Sequence, residues 1–318
     1  MFDVLLAGPY PAGTLEKLQK AVAGTDISIR AVTTEEQFAK ENDVDAIILR
    51  IIKMPKEVIQ RFSPKLKMIM RWGVGYDAVD VKQARAQGID VCNTPGANAY
   101  AVSELAVLLM LAVGRCLLCH ELELRNGVWS REMFTAQSRS LNHKVVGLVG
   151  GGNIGRQVAR KVQAFGARAQ YYDPFRLKPE MEKEFNLEYV DYATLLATSD
   201  VISFHVPLLD STRHMLNKEN IKTVKPGAII INTSRSGIVE DEAIVEARKA
   251  GLISGAGLDC TEESPITQEN PLLKDPHIIV TPHVGGTAND IGDSIIPMIV
   301  ENLKSMAAGK PLKFVVNQ

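Results

Sequence analysis

Short apolar runs alternate with amphipathic helical patterns along almost the whole chain. In the N-terminal part the apolar runs fall at Asp3–Ala7, Ile27–Ala31, Ala46–Leu49, Met68–Met70 and Ile89–Cys92. Strands that alternate with helices are typical of βαβ units and of a parallel sheet. The pattern therefore predicts a small α/β unit in this part of the chain.

A second series of apolar runs predicts a six-stranded set with Rossmann spacing. Its strands are expected at Val145–Val149, Arg168–Tyr172, Val201–Phe204, Ala228–Ile231, Gly255–Leu258 and Ile278–Val280. Between the two series, residues 99–119 form a long apolar run. Glu104 and Arg115 interrupt this run, which argues against a membrane span, so we predict one long buried helix. The last helical pattern, 287–308, follows the second sheet and is expected to return to the first unit.

Composition and charge narrow the class of protein. A chain of 318 residues with 46% hydrophobic residues predicts two globular domains. The 36 basic residues nearly balance the 37 acidic ones, so neither nucleic acid nor a membrane surface is an expected partner. The N-terminus lacks the pattern of a signal peptide, so we expect a cytoplasmic protein that begins at or near Met1.

Cysteine usage predicts neither a disulfide scaffold nor a metal site. The chain has four cysteines, and Cys116 and Cys119 form a CxxC inside the predicted helix without a second pair. Ordinary buried thiols explain this spacing better than a redox or metal role.

The sharpest local motif is VVGLVGGGNIGRQVA, in which Gly150, Gly152 and Gly155 form GxGxxG between a predicted strand and a predicted helix. The first glycine permits a tight turn, the second lets a pyrophosphate approach the backbone, and the third lets helix and strand pack closely. Asn153 and Ile154 would supply amides at the helix N-terminus, where phosphates bind. The motif predicts a dinucleotide site.

The next predicted strand ends at Asp173, at the spacing expected of a ribose-binding carboxylate. This carboxylate would accept hydrogen bonds from the ribose hydroxyls and repel a 2′-phosphate, which favours NAD(H) over NADP(H). The alternative is that Asp173, followed by Pro174, only begins a turn.

Two more strand ends carry side chains suited to the chemistry of a 2-oxo acid. Arg235 lies in NTSRSGIVED, and His283 lies between a proline and two glycines in TPHVGG. Arginine can bind a carboxylate and polarise a carbonyl, whereas histidine can exchange a proton near neutral pH. Taken separately, each could equally be a solvated or structural residue.

Taken together, these motifs resemble the D-isomer-specific 2-hydroxyacid dehydrogenases, which include phosphoglycerate, glyoxylate/hydroxypyruvate and D-lactate dehydrogenases. The resemblance covers almost the whole chain. It is carried, besides GGGNIG, by RWGVGYDAVDV (71–81), NTPGANAYAVSELAVLLML (93–111), FHVPLLDSTRHMLN (204–217), INTSRSGIVED (231–241), GAGLDC (255–260) and TPHVGG (281–286).

The resemblance implies a Rossmann coenzyme domain at 98–284 and a smaller flavodoxin-like α/β substrate domain formed by 1–97 and 285–318. It also implies NAD(H) as cofactor and a homodimer through the coenzyme domains. Arg235 looks like the substrate-binding and carbonyl-polarising arginine, and His283 like the acid/base. Residues that resemble the substrate-binding positions are Val74, Gly75, Arg50 and Arg71. Beyond the glycine motif and Asp173, the segments that resemble the coenzyme lining contain Val74, His205, Val206, Pro207, Thr212, Thr233, Ser234, Arg235, Asp259, His283, Gly285 and Gly286.

One position departs from the family pattern. Members have a glutamate directly before a proline, five residues after the Asp of GLD, and it pairs with the catalytic histidine. Here DCTEESP places Ser264 there, although a loop adjustment could bring Glu263 or Glu262 into the position. A serine hydroxyl favours an imidazolium far less than a carboxylate does, so we expect reductase activity to fall off at a lower pH than in other members.

The departure leaves two alternatives to a working dehydrogenase. An NAD(H)-sensing interaction protein, like the corepressors that share this fold, would have weak turnover or none. A formate dehydrogenase would carry an amide side chain at this position, whereas this chain has the hydroxyl of Ser264 there. The retention of Arg235, His283 and Asp173 together favours the dehydrogenase. No metal is expected, and no serine feedback, since no regulatory domain follows Gln318.

Overall fold

A computed structural model of the protein describes residues 1–62 and 64–318. The chain divides into two compact units. The first unit comprises Met1–Asn98 together with Thr287–Gln318, and the second comprises Ala99–Gly286.

Strands and helices alternate along both units. The strands are β1 Phe2–Ala7, β2 Ile27–Val32, β3 Ala46–Leu49, β4 Met68–Arg71, β5 Asp90–Cys92, β6 Val145–Val149, β7 Arg168–Tyr172, β8 Leu187–Tyr189, β9 Val201–Phe204, β10 Ala228–Asn232, β11 Ile253–Leu258 and β12 Ile278–Val280. The helices are α1 Thr14–Ala21, α2 Glu35–Ala39, α3 Lys56–Phe62, α4 Val81–Ala86, α5 Ala99–Gly114, α6 Leu117–Arg125, α7 Asn153–Ala164, α8 Pro179–Phe185, α9 Tyr192–Thr198, α10 Asp241–Lys249 and α11 Gly292–Ala307. Short 3₁₀ turns lie at Asn220–Thr223 and Pro271–Lys274.

The first unit contains a five-stranded sheet in the order β2-β1-β3-β4-β5. All of these strands pair in parallel, and the order is that of flavodoxin-like folds. The central strand β3 is buried along its whole length, as expected of a parallel sheet with both faces covered. This unit has the predicted flavodoxin-like α/β architecture.

The C-terminal segment closes the edge of this sheet. Cys92 of β5 forms an antiparallel bridge with Val315. The side chain of Asn317 accepts a hydrogen bond from the Val91 amide at 2.9 Å and donates to the Ile89 carbonyl at 2.9 Å. The amide of Asn93 donates to the Phe314 carbonyl. Residues from both ends of the sequence therefore build one sheet edge.

The second unit is a doubly wound Rossmann sheet in the order β12-β11-β10-β9-β6-β7-β8, paired in parallel throughout. One hydrophobic cluster includes residues of α5 and α7, and the other includes residues of α9 and α10. The prediction of six strands was wrong by one, because β8 was missed. Only one of its three residues is buried, so it carries almost no apolar pattern.

The prediction of a single helix over 99–119 was also wrong. The chain leaves the helical conformation at Cys116, whose φ of 50° is left-handed, and α6 follows at an angle of 61° to α5. The Gly114 carbonyl accepts a hydrogen bond from the Arg139 amide at 2.6 Å instead of continuing the helix. In the described part of the chain no single helix is long and apolar enough to cross a membrane. Only the bent pair of α5 and α6, taken together, has the length and the apolar composition of a membrane span.

The last helix begins at Gly292 rather than at Thr287. Residues 287–290 are mostly exposed, so they have no apolar face to pack against the sheet. The buried positions of this helix start at Gly292 and continue through Ile295, Ile296 and Ile299.

Candidate active site

The glycine-rich loop after β6 has the geometry that a dinucleotide site requires. Gly150 has a φ of 111°, and a Cβ there would lie 2.7 Å from the His205 carbonyl oxygen. A Cβ on Gly155 would lie 2.1 Å from the carbonyl oxygen of Gly150, whereas one on Gly152 would meet nothing within 4 Å. The first and third glycines are therefore required by close packing, and the second leaves its face of the backbone open. Asn153 and Ile154 begin α7 directly after the loop.

Asp173 follows β7 and lies beside this loop. Its Oδ2 accepts a hydrogen bond from the Gly151 amide at 2.9 Å, and its Oδ1 accepts one from the Phe175 amide at 2.9 Å. The second bond is the turn that the sequence left as an alternative. The first places the carboxylate beside the glycine-rich loop.

Two buried polar atoms at the ends of β9 and β10 have no hydrogen-bond partner in residues 1–62 and 64–318. They are Nδ1 of His205 and Oγ1 of Thr233. The other ring nitrogen of His205 lies 2.9 Å from Ser203 Oγ, and burial lowers the pKa of this histidine to about 3. Buried polar atoms in folded proteins are nearly always paired. These orphaned atoms and the open backbone at Gly152 fit a bound dinucleotide.

Arg235 is presented by a short loop after β10. The side chain of Asn232, the last residue of that strand, accepts from Ser234 Oγ at 2.7 Å and donates to the Arg235 carbonyl at 3.0 Å. The Arg235 guanidinium is half-buried and donates to the Ser234 carbonyl at 2.8 Å. The loop is thus fixed from within by an amide that is 1% exposed.

His283 belongs to a loop that one buried carboxylate holds in place. Oδ1 of Asp259 accepts from Thr281 Oγ1 at 2.6 Å and from the Val284 amide at 2.8 Å, and its Oδ2 accepts from the Gly285 amide at 2.8 Å. His283 has a φ of 55° and is exposed. Within the described ranges its ring makes no hydrogen bond. Asp259 therefore fixes the backbone around a histidine whose ring is available to a ligand.

The two glutamates next to Ser264 are engaged with other groups. Oε1 of Glu262 lies 2.7 Å from His214 Nε2, and its Oε2 accepts from the Asp241 amide at 3.1 Å. Glu263 accepts from the Asn270 side chain at 2.6 Å, and this bond and one from Thr267 hold the pKa of Glu263 below its usual range. Ser264 is exposed.

The remaining predicted coenzyme positions lie in the loops after β9, β10 and β12. Thr212 closes the turn after His205 by donating to the Pro207 carbonyl at 2.6 Å. Val206, Ser234 and Gly285 are buried, whereas Gly286 is partly exposed. Because all strands of this sheet are parallel, these loops, Asp173 and the glycine-rich loop share the carboxyl edge of one sheet.

In the first unit, Val74 and Gly75 lie in a braced loop after β4. Arg71 Nε donates to the Gly75 carbonyl at 3.0 Å, and the Asn93 side chain donates to the Val74 carbonyl at 2.8 Å. The amides of Val74 and Gly75 donate to no acceptor in the described part of the chain. Two adjacent amides held in this way suit a carboxylate.

Arg50 directly follows β3, and Arg71 is the last residue of the neighbouring strand β4. Arg50 Nη1 donates to the Pro9 carbonyl at 2.8 Å. Burial raises the pKa of Tyr10, and the positive charges of Arg71 and Arg50 act in the opposite direction. The Tyr10 hydroxyl donates to the Ile48 carbonyl at 3.0 Å, and its ring meets Trp72 edge-on. Arg50, Arg71 and Tyr10 therefore form one basic cluster.

Sequence reasoning missed the residues that hold these loops. Tyr10, Asn93, Asn232 and Thr281 all bond to a predicted site residue or lie beside one. The only sequence signal was position, since each lies within a few residues of a strand end. Their partners are backbone groups and carboxylates whose placement depends on the fold.

The comparisons agree with this geometry. Residues 107–285 match the family described as D-isomer specific 2-hydroxyacid dehydrogenase, NAD binding domain. A glyoxylate reductase of Thermococcus litoralis is 39% identical over 287 residues, or 88% of this chain and 85% of that protein. A hydroxypyruvate reductase of Thermotoga maritima is 42% identical over 224 residues, or 70% and 71%. A solved structure of D-lactate dehydrogenase with NAD+ from Lactobacillus jensenii has a TM-score of 0.83 at 25% identity and covers 100% of both chains.

The chain belongs to the D-isomer-specific 2-hydroxyacid dehydrogenase family. Within that family it is an NAD-dependent oxidoreductase, with a Rossmann coenzyme unit and a flavodoxin-like unit. The predicted family, fold class, enzyme class and NAD(H) cofactor are confirmed.

Proposed function

We propose that this enzyme reduces a short 2-oxo acid to the D-2-hydroxy acid, with His283 as acid/base and Arg235 as the substrate-binding residue. The observation that carries this proposal is the loop of His283. Asp259 binds the Thr281 hydroxyl before the histidine and the Val284 and Gly285 amides after it, while the exposed ring makes no hydrogen bond with residues 1–62 and 64–318. That arrangement suits a group that must exchange a proton with a ligand.

The proposed coenzyme site uses the carboxyl edge of the second sheet. The glycine-rich loop and the first turn of α7 would hold the pyrophosphate, and Asp173 would accept from the adenosine ribose. His205 Nδ1 and Thr233 Oγ1 are both buried and would gain hydrogen-bond partners, which they lack among residues 1–62 and 64–318. When bound, NADH supplies the hydride for the 2-oxo carbon. Val206, Pro207, Thr212, Ser234, Gly285 and Gly286 are proposed to line the same site.

The proposed substrate contacts divide among three groups. The amides of Val74 and Gly75 would receive the substrate carboxylate. The Arg235 guanidinium would bind the substrate and polarise the carbonyl, because a fixed cation favours negative charge on the carbonyl oxygen. The His283 ring would deliver a proton to that oxygen. Asp259 is proposed as a positioning residue, since its hydrogen bonds are to the loop of His283.

Glyoxylate and hydroxypyruvate are the proposed substrates, because the relatives described above act on these compounds and cover most of the chain. A second candidate is an acid with an anionic substituent such as phosphohydroxypyruvate. It is favoured by the basic cluster of Arg50, Arg71 and Tyr10 beside the Val74 loop. Arg50→Ala should lower kcat/KM for the phosphorylated acid at least tenfold and leave the value for glyoxylate within about twofold, if the cluster binds that substituent.

The test is NADH oxidation by the purified protein with glyoxylate, hydroxypyruvate, phosphohydroxypyruvate, pyruvate and oxaloacetate, repeated with Arg235→Ala and His283→Ala. Arg168→Ala and His143→Ala are matched controls, because both side chains are exposed. We expect turnover in the wild type and in the two controls, and no turnover in Arg235→Ala or His283→Ala. Turnover that survives in both would contradict the assignment of Arg235 and His283.

An NAD(H)-sensing protein is the second candidate function. It is favoured by Ser264 at the usual glutamate position and by the engagement of Glu262 and Glu263 with other groups. NADH binding without turnover on any acid in the panel would support it, and measurable turnover would exclude it as the main function.

We also propose a homodimer through the coenzyme unit and a cytoplasmic location. The homodimer is supported by exposed apolar side chains on α5, α6 and the segment that follows, since exposed patches of this kind mark interfaces. They are Leu108, Leu117, Leu122, Leu124, Trp129 and Met133. The buried free thiols suit a reducing compartment. Light scattering should give twice the chain mass, and Leu117→Glu with Leu122→Glu should give the monomer.

A further inference from the structure

An ion pair lies close in the chain to the proposed ribose-binding carboxylate of Asp173. Arg176, three residues further on, donates from Nε to Oε1 of Glu182 at 2.8 Å and from Nη2 to Oε2 at 3.1 Å. Glu182 belongs to the first turn of α8. Arg176 is the first cationic residue after Asp173 in the sequence, and two hydrogen bonds hold it on Glu182.

A buried tyrosine fixes the carboxylate of Glu182 in turn. The hydroxyl of Tyr171, a fully buried residue of β7, donates to Glu182 Oε1 at 2.7 Å and accepts from the Leu177 amide at 2.9 Å. The Glu182 side chain is only 14% exposed, whereas that of Arg176 is 61% exposed. The bonds from Arg176 and Tyr171 hold the pKa of Glu182 below its usual range, so this carboxylate is charged at neutral pH.

The guanidinium of Arg176 is also held toward the outer edge of the sheet. Its central carbon lies 4.8 Å from the centre of the ring of Tyr189, which ends the edge strand β8. Asp173 instead binds Gly151, in the loop after β6. Because β7 lies between β6 and β8, Arg176 and Asp173 are bonded to groups on opposite sides of that strand. An exposed ion pair usually contributes little, but a bidentate pair that is part of a network contributes more.

Asp173 is left without a counter-charge by this arrangement. Its two oxygens accept from the Gly151 and Phe175 amides, and it forms no ion pair with residues 1–62 and 64–318. Consecutive Cα atoms are about 3.8 Å apart, so the Cα atoms of Asp173 and Arg176 are at most about 11 Å apart. A guanidinium released from Glu182 could therefore reach Asp173, or a phosphate group on the ribose that Asp173 is proposed to bind.

We propose that Glu182 is a second determinant of the preference for NADH over NADPH, because it holds Arg176 away from the adenosine ribose. The proposal rests on the proposed contact between Asp173 and that ribose. Guanidinium groups match the geometry and charge of phosphate oxygens, so a released Arg176 would favour the 2′-phosphate of NADPH. It would also compete with the ribose hydroxyls of NADH for Asp173. Glu182 is a positioning residue, since it acts through Arg176.

The experiment is fluorescence titration of the whole protein with NADH and with NADPH, which gives both dissociation constants without turnover. In Glu182→Gln, we expect the ratio of the Kd for NADPH to the Kd for NADH to fall about threefold or more. In an Asp173→Ala background, adding Glu182→Gln should tighten NADPH binding about tenfold, because a hydrogen bond to a charged group contributes that much. Adding Arg176→Gln as well should abolish this gain, since no guanidinium remains there to bind the phosphate.

Two single variants are the controls. Glu184→Gln is matched to Glu182→Gln, because Glu184 lies on the same helix and pairs with Arg160 at 2.8 Å, and it should leave both dissociation constants unchanged. Arg176→Gln alone should bind both coenzymes within about twofold of the wild type, because the guanidinium that it removes is held on Glu182.

Three results would overturn the role of Glu182. The first is a coenzyme ratio that Glu182→Gln leaves unchanged in the wild type and in Asp173→Ala. The second is an equal weakening of NADH and NADPH in Glu182→Gln, which a merely structural role predicts. The third is a gain for NADPH that persists when Arg176→Gln is added. The ribose contact is tested separately by Asp173→Ala alone, so its failure is distinguishable from a failure of the role of Glu182.

Discussion

Glu262 is bound to His214, with 2.7 Å between Oε1 of the glutamate and Nε2 of the histidine. The other carboxylate oxygen accepts from the Asp241 amide, and the Glu262 amide donates back to the Asp241 carboxylate at 2.8 Å. Both oxygens of Glu262 are thus engaged with groups other than His283. Ser264 therefore remains the residue that we predict at the glutamate position of the family pattern.

Ser264→Glu should move the upper limit of the pH profile for reduction to higher pH. A carboxylate beside His283 favours the protonated ring, which is the form that delivers a proton to the substrate. We expect a shift of about one pH unit, because ion pairs of this kind change proton affinity by about that amount or more. The measurement is kcat/KM for the best 2-oxo acid between pH 5 and 9.

Glu262→Gln and Glu263→Gln are the controls for that experiment. Each should leave the pH profile where it is in the wild type and kcat within about twofold, since neither carboxylate acts on His283. Loss of the His214 contact should cost at most about 1 kcal/mol of unfolding free energy, because the pair is partly exposed. A profile displaced by Glu262→Gln would mean that this loop rearranges during turnover.

Asp259→Ala should lower kcat at least tenfold and leave the affinity for NADH within about threefold. The substitution removes the acceptor of the Thr281 hydroxyl and of the Val284 and Gly285 amides, so the His283 loop loses three of the hydrogen bonds that fix its conformation. Thr281→Val removes only one of the bonds and should have a smaller effect of the same kind. Stopped-flow measurement of NADH binding gives the affinity for NADH, and steady-state kinetics give kcat and KM, so the effects on kcat and on NADH affinity can be separated. Equal losses of kcat and of NADH affinity would instead indicate that Asp259 acts on the coenzyme.

Asp173→Ala should weaken NADH binding by about 10- to 100-fold and narrow the preference for NADH over NADPH. A hydrogen bond to a charged group contributes about 1.5–3 kcal/mol, and the carboxylate also repels a 2′-phosphate. Fluorescence titration with both coenzymes measures the two effects. Asp173→Asn separates them, because the amide can still brace the Gly151 amide but carries no charge. Unchanged selectivity in both variants would remove Asp173 from the ribose site.

The free protein should lose stability as the pH falls below about 6.5, and His205 should account for part of the loss. Burial lowers the pKa of this ring to about 3, whereas the unfolded chain takes up a proton near pH 6.5. The unfolded state is therefore favoured by up to about 1.4 kcal/mol per pH unit over this range. Urea unfolding at pH 7.5, 6.5, 5.5 and 4.5 measures the slope.

His205→Gln should flatten that slope by one proton, and His143→Gln should leave it unchanged because His143 is exposed. Equal slopes in the wild type and in His205→Gln would mean that the ring becomes protonated without unfolding. Saturating NADH should raise stability in the wild type at every pH through binding to the folded state alone.

The sequence was most informative where local chemistry determines structure. Strands such as Ala46–Leu49 and Val145–Val149 were predicted with their observed bounds, because parallel strands buried over all or nearly all of their length are continuous apolar runs. The glycine-rich loop was equally clear, because steric requirements at Gly150 and Gly155 are imposed by neighbouring backbone.

The sequence was least informative where a distant partner decides the outcome. The end of α5 depends on the Arg139 amide, which lies beyond α6 in the chain. The strand β8 is formed from mostly exposed residues that pair with the edge of β7. Whether Glu262 or Glu263 could replace the absent carboxylate depended on His214 and Asn270, which no local pattern connects with them.

The C-terminal segment on the edge of β5 has a practical consequence for how the protein is handled. The Phe314 carbonyl receives the Asn93 amide, and the Asn93 side chain supports the Val74 carbonyl in the proposed carboxylate loop. Asn317 anchors this segment only one residue from Gln318. A substitution or a fusion that displaces this segment would thus loosen the brace of the proposed carboxylate loop, so kinetic constants are better measured on protein in which residues 313–318 are left unaltered.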